Sequence, residues 1–130
     1  MVVVDSSVWI AYFNGAITPE TQPLDVLLGH EPVGLGDLIL VEVLQGFRLD
    51  KDYETAKRLL TSLTIFDFLG QDIAIRAADN YRALRKRGIT VRKTADVIIA
   101  TFCIEHDFPL LHSDKDFLPF VIHLRLRSPP

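Results

Sequence analysis

Met1-Val2-Val3-Val4-Asp5-Ser6-Ser7 opens the chain, and its reading decides the fold. Three consecutive valines are β-branched and apolar, as expected of a strand buried on both faces of a parallel sheet. The run stops at a carboxylate. Val8-Trp9-Ile10-Ala11-Tyr12-Phe13 then resumes apolar, and valines plus this stretch are too long for one strand. The chain therefore turns from strand to helix at Asp5-Ser6-Ser7. In an open parallel sheet the ligand crevice lies beyond the carboxyl ends of the strands, where Asp5 would stand. Asp5 or Ser6 equally suits a plain helix N-cap. This stretch alone favours the cap; three further acidic sites in comparable places later in the chain shift the weight to the crevice.

Outward from that strand, helices and strands alternate. Pro23–Leu28 reads as a short helix and Val33-Gly34-Leu35 as a second strand. Gly36-Asp37 opens the next helix, with Asp37 its expected N-cap. Leu38, Val41 and Leu44, joined by Leu40 and Val43, form its apolar stripe, and Glu42 lies within that stripe. A further helix runs from Asp50 to Leu63, and Thr64–Phe68 reads as a third strand. Gln71–Arg87 is a long helix with Ala74, Ala77, Ala78, Tyr81 and Leu84 inward, stopped by Gly88. Thr94–Ile104 is almost wholly apolar, hence a central buried helix with Asp96 in its first turn. Pro109–His112 is a short strand, Val121–Leu124 an edge strand, and the basic tail to Pro130 is expected to be loosely held. The pattern predicts an α/β fold: a three-layer α/β/α sandwich with a central, mainly parallel sheet. No linker or repeat interrupts it, so residues 1–130 form one domain.

Composition narrows the function classes. With 48% apolar and 24% charged residues the chain is an ordinary folded domain rather than a disordered one. Its single cysteine, Cys103, can make no internal disulfide and lies in an apolar helical stretch, which suits plain core and a reducing compartment. No leader or membrane-length apolar run is evident, and the expected location is the cytoplasm. A net charge of −3 does not advertise nucleic-acid binding, but Arg82, Arg85, Lys86, Arg87, Arg92 and Lys93 fall close together. Such a run is either a face for phosphates or a solvated helix face with its loop. Neither Gly-x-Gly-x-x-Gly nor Gly-x-x-x-x-Gly-Lys occurs, which argues against a nucleotide-cofactor enzyme.

Four carboxylates remain to be weighed together: Asp5, Glu42, Asp96 and Asp114. Asp5 and Asp114 each follow a strand, so both belong near the carboxyl edge of the sheet. Asp96 sits where a helix macrodipole favours negative charge, and Glu42 is on a helix packed on the same sheet. Carboxylates gathered in this way raise one another's pKa unless a cation compensates. Hard divalent ions prefer such oxygen ligands and can activate water at a phosphodiester. Each acid also has a capping or surface alternative.

Val4-Asp5-Ser6-Ser7-Val8-Trp9-Ile10, Glu42-Val43-Leu44-Gln45-Gly46, Thr94-Ala95-Asp96-Val97-Ile98-Ile99-Ala100 and Leu111-His112-Ser113-Asp114-Lys115-Asp116-Phe117 together resemble the four motifs of PIN-domain ribonucleases. Closer still is the VapC toxin branch of bacterial and archaeal toxin–antitoxin modules, and the resemblance spans nearly the whole chain. It implies a PIN-like fold and metal-dependent endonucleolytic cleavage of RNA by the toxin of a type II module. It also implies inhibition by a VapB-type antitoxin. Asp5, Glu42, Asp96 and Asp114 match the family's catalytic acids. On that basis Asp5, Asp96 and Asp114 would hold Mg²⁺ or Mn²⁺, with Asp116 at a less regular assisting position. Glu42 would orient or deprotonate the attacking water, and Ser7 would steady Asp5. The Arg82–Lys93 cluster would hold the RNA backbone. His112 departs from the threonine frequent at its place; it is either a phosphate or proton contact or a structural strand-end residue. Two other readings stand beside the nuclease: a PIN-like RNA-binding or scaffold domain without cleavage, and a small-molecule α/β enzyme using the same crevice. Finally, Trp9, Tyr12, Phe13, Leu24, Val26, Leu27 and Leu28, with the Leu38–Leu44 stripe, exceed what one sheet readily buries, and the surplus predicts a homodimer with an antitoxin groove.

Overall fold

A computed structural model describes residues 1–129. The valine run is β1 (Val2–Val4), wholly buried as expected, and it passes through Asp5 into α1 (Ser6–Phe13). There follow α2 (Thr21–His30), β2 (Val33–Gly36), α3 (Asp37–Leu44), α4 (Asp50–Thr61) and β3 (Thr64–Phe66). The chain then forms α5 (Gln71–Lys86), α6 (Thr94–His106), β4 (Leu110–Leu111), a 3₁₀ turn (Lys115–Phe117) and α7 (Leu118–Leu124). The strands form one sheet in the order β3-β2-β1-β4, with every neighbouring pair parallel. From β1 the chain winds to β2 and β3 on one side, and β4 returns on the other. The strand order thus reverses between β1 and β4, and a crevice forms at their carboxyl ends. Asp5 follows β1 and Asp114 follows β4, so both stand at its mouth.

The core lies on both faces of β1 and β2. Trp9, Leu24, Ile39 and Leu60 fill one group of helices, and Ile99, Phe102, Phe117 and Phe120 come from the later ones. Asp96 to Cys103 of α6 are all buried, which accounts for that helix's lack of a polar face. Its Phe102 ring packs 4.4 Å from that of Phe68, and a Cβ on Gly36 would run into the Phe68 ring. Glycine at the end of β2 therefore allows the close approach of the segment after β3.

Several expectations need correction. Val121–Leu124 is helical, not an edge strand: Pro119 falls in the first turn of α7, where its missing N–H is harmless, and Phe117 and Phe120 turn inward. The tail is tied down as far as Arg127, and Pro130 lies outside the described residues. Leu110 N–H donates to the Arg127 carbonyl, Leu126 is buried, and the Arg127 guanidinium bonds the Asp107 carboxylate at 2.9 Å. Gly36, not Asp37, is the cap of α3; Asp37 instead accepts from the N–H groups of Leu38 and Phe68 and fastens α3 to the chain beyond β3. The buried stripe of α3 is Ile39 and Val43, and Val41 is 58% exposed. On α5, Ala77 and Leu84 are buried, but Ala74 and Ala78 face an apolar cleft. A single domain buries more of the first two helices than expected, since Trp9 and Leu24 are fully enclosed.

Candidate active site

Asp5 satisfies both readings offered by the sequence. As the N-cap of α1, its Oδ2 accepts from Ser7 N–H at 3.1 Å and from Ser7 Oγ at 2.6 Å. Its Oδ1, in a side chain only 3% exposed, has no hydrogen-bond partner among the described residues. A cap needs one oxygen; the other is left for something else. Burial raises the Asp5 pKa against the pull of the Ser7 bonds, and Asp114 adds to the rise.

The other acids converge on the same end of the sheet. Asp96, 5% exposed, projects from the first turn of α6, and its Oδ2 has no partner among the described residues. Burial first, then the charges of Asp5 and Asp114, lift its carboxyl to about 7, against a small opposing pull from Lys93. Glu42 lies on α3 with a buried, unpartnered Oε1; burial and the Asp5 charge raise its pKa, while Ser6 and Lys93 lower it. Asp114 caps the 3₁₀ turn by accepting from Asp116 N–H at 2.9 Å. That turn brings Asp116 back beside Asp114. One carboxylate oxygen each from Asp96, Asp114 and Asp116 lie within 4.8 Å of one another. Three unpartnered buried oxygens on Asp5, Glu42 and Asp96 are not tolerated without a compensating positive charge or protonation. The donor set is all oxygen, which suits a hard divalent cation.

Around this crevice the basic residues divide. Arg82, Arg85 and Lys86 are exposed along the last turns of α5 and Arg87 at its C-cap, with the Arg85 guanidinium 5.6 Å from the centre of the Tyr81 ring. Lys93 is exposed at the start of α6, near enough to lower Asp96 and Glu42. Arg92 pairs with Asp116 at 3.2 Å. The His112 ring packs 5.2 Å from Phe117, burial lowers its pKa, and its buried Nδ1 has no partner among the described residues. Burial pushes the Cys103 thiol far up, so it behaves as core. Sequence reasoning missed Ser113, whose Oγ donates to Ser7 Oγ at 3.2 Å and extends the hydroxyl chain that ends on Asp5.

An acid-lined crevice at the switch point of a parallel sheet defines a class, and comparison with known proteins names it. The PIN domain family matches residues 2–119. Over 120 residues the chain is 32% identical to ribonuclease VapC11 of Mycobacterium tuberculosis, covering 90% of this chain and 89% of that protein. In structure it is similar to VapBC2 from Rickettsia felis bound to a DNA fragment from their promoter, with a TM-score of 0.78 at 16% identity, covering 99% of this chain and 98% of that one. A toxin–antitoxin complex from Klebsiella pneumoniae gives a TM-score of 0.69 at 21% identity, covering 90% of each chain. The chain belongs to the PIN domain family and, within it, to the VapC ribonucleases.

Proposed function

We propose that this protein is a divalent-metal-dependent endoribonuclease and the toxin of a VapBC-type toxin–antitoxin module. The observation that carries the reading is the set of buried carboxylate oxygens without partners, on Asp5, Glu42 and Asp96, beside the Asp96–Asp114–Asp116 triad. The relatives named a ribonuclease and a toxin–antitoxin complex support it. Asp5, Asp96 and Asp114 would hold Mg²⁺ or Mn²⁺, with Asp116 at the margin. A divalent ion there supplies charge neutralisation at the phosphodiester and makes water more acidic. The chain's own residues do the rest. Ser7 fixes the Asp5 carboxylate through two hydrogen bonds, leaving Oδ1 directed elsewhere. Glu42, its pKa raised by burial and the Asp5 charge, accepts the proton of the attacking water at Oε1. Arg82, Arg85, Lys86, Arg87 and Lys93 hold the RNA backbone, and sequence selection falls on single-stranded or looped bases.

A VapB-type antitoxin is the expected inhibitor. An arginine presented to Asp5, Glu42, Asp96 and Asp114 would supply, by bidentate pairing, the positive charge these acids need and exclude metal. The functional unit is a homodimer, supported by an apolar cleft of about 450 Å³ between α5 and α6 that includes Leu69, Ala74, Ala78 and Ile98. Light scattering should return twice the chain mass of 14.7 kDa, and a strict monomer contradicts the dimer. Among the described residues no helix is long and apolar enough to cross a membrane. The activity itself is tested by incubating the pure chain with a structured RNA in Mg²⁺ or in chelator and sequencing the new ends. Discrete ends that appear only with metal are expected. Intact RNA under both conditions would favour the scaffold reading.

A further inference from the structure

A shallow hollow of about 190 Å³ opens beside Asp114, which lines it together with Glu20, His112, Ser113, Lys115 and Leu118. Three elements meet there. Glu20 stands at the N-cap of α2, Lys115 opens the 3₁₀ turn and Leu118 opens α7. Glu20 is half-buried, yet its side chain caps nothing. Lys115 is exposed, and neither residue has a salt bridge among the described residues. A carboxylate and an ammonium thus line one hollow without pairing across it. The apolar part of the wall is the His112 ring, packed against Phe117, and Leu118, which is 45% exposed. Burial lowers the His112 pKa, and the charges of Asp5, Asp114 and Glu20 oppose it, so Glu20 reaches the same ring from a distant part of the chain. At ~30 Å³ per water the space equals about six waters. That is room for one planar heterocycle and too little for a peptide segment. None of Arg82, Arg85, Lys86, Arg87 and Lys93 lines it, so the hollow is separate from the basic face.

Resting on the ribonuclease reading above, we propose that this hollow is a base subsite that selects guanine in single-stranded RNA beside the scissile bond, with Glu20 and Lys115 as its specificity residues. A carboxylate only accepts hydrogen bonds and an ammonium only donates them. Guanine carries two donors side by side, N1–H and the N2 amine, which one carboxylate takes bidentately. Its O6 and N7 acceptors suit a lysine. Adenine and cytosine place a ring-nitrogen acceptor beside their amine, and uracil has one N–H between two carbonyls. Each of these sets an acceptor against the Glu20 oxygens. His112 and Leu118 supply the apolar contact for the base itself. Such edges are displayed in full only by unpaired bases. Asp114 belongs to both the hollow and the acidic crevice, which puts the selected base next to the phosphate the acids act on.

The test is cleavage, in Mg²⁺, of a pool of RNA hairpins with randomised loops, with the new ends sequenced. Wild type should cut with guanine at one fixed position beside the bond, preferred at least about fivefold over every other base. Glu20→Gln, a change at a side chain that caps nothing, should lose that preference. Inosine lacks the N2 amine; placed at that position, it should slow wild type about fivefold or more and leave Glu20→Gln unaffected. Deazaguanosine lacking N7 should separate wild type from Lys115→Gln in the same way. Where the RNA is cut, the ends decide. Cut ends without a guanine preference, or a preference that survives Glu20→Gln, overturn this inference and leave the nuclease reading standing. RNA left intact sinks the nuclease reading, and the subsite is then decided by nucleotide binding alone. For that, guanosine and adenosine monophosphate are titrated into the full chain in chelator, with the Leu118 methyl and His112 ring resonances followed by NMR. Guanosine monophosphate bound at least about fivefold more tightly than adenosine monophosphate by wild type, and not by Glu20→Gln, upholds the subsite. Equal shifts with both nucleotides, or shifts with neither, overturn it.

Discussion

Replacing Asp96 by asparagine should stabilise the metal-free protein, and only where the carboxylate is charged. Asp96 sits 5% exposed in the first turn of α6, and burial together with Asp5 and Asp114 lifts its pKa from 3.8 to about 7. A folded-state pKa above the unfolded one means the folded chain binds more protons between the two values. Stability therefore falls as pH rises through that window. The penalty is absent below 3.8 and complete above about 7. At ~1.4 kcal/mol per pH unit the full rise corresponds to roughly 4 kcal/mol. Water in the crevice screens part of it, which leaves ~2 kcal/mol. Asparagine keeps the shape and removes the charge. In a domain of this size the gain amounts to roughly 5–10 °C in melting temperature. The assay is a pair of melts in chelator, at about pH 8 and about pH 5. The substitution should add ~2 kcal/mol at the higher pH, and less than half of that at the lower, because most of the wild-type carboxyl is then protonated in the folded state. A destabilised variant at pH 8 would mean that Asp96 has a capping or packing role. An equal gain at both pH values would mean that charge repulsion is not the cause.

Ser7→Ala removes the Oγ–H bond, one of those that lower the Asp5 pKa, while the backbone N–H bonds remain, so the acid limb of the cleavage–pH profile should move to higher pH; an unmoved limb would leave Ser7 with a purely structural role. Reversing Arg85, Lys86 and Arg87 to glutamate should weaken RNA binding and reduce the salt slope by about two, and an unchanged slope would put the RNA elsewhere. Gly36→Ala drives a Cβ into the Phe68 ring and should destabilise the fold by ~1–3 kcal/mol in urea unfolding. A neutral result would show that Phe68 can step aside.

The elements legible in the sequence are those whose burial is extreme. The Val2–Val4 run and the Thr94–Ile104 stretch are apolar on every side, so only a central strand and a central helix fit them. The positions of Asp5 and Asp96 could be read because one follows directly on such an element and the other lies in its first turn, whereas Asp114 stands three residues beyond the short Leu110–Leu111 strand. The Val121–Leu124 stretch is too short to show a period, and α7 is decided by Pro119 and by the inward turn of Phe117 and Phe120. The exposure of Val41 was hidden because Leu38–Leu44 is apolar on most sides, so tertiary contact rather than pattern chooses the buried face. Contacts across the chain leave no local trace. Arg92 meets Asp116 across 24 positions, and Ser113 meets Ser7 across 106. The serine pair becomes visible only when β4 is laid beside β1, and the Arg92–Asp116 pair only when the 3₁₀ turn meets the start of α6.

The central claim is that Asp5 serves the chemistry as well as the cap of α1. Single-turnover cleavage of a structured RNA in Mg²⁺ by wild type and by Asp5→Asn tests it most directly, with far-ultraviolet circular dichroism on both proteins. The asparagine keeps an oxygen for the Ser7 bonds but removes the charge. The fold should stay intact and the rate should fall at least about a hundredfold. Cleavage at the wild-type rate, with unchanged metal dependence, would contradict it.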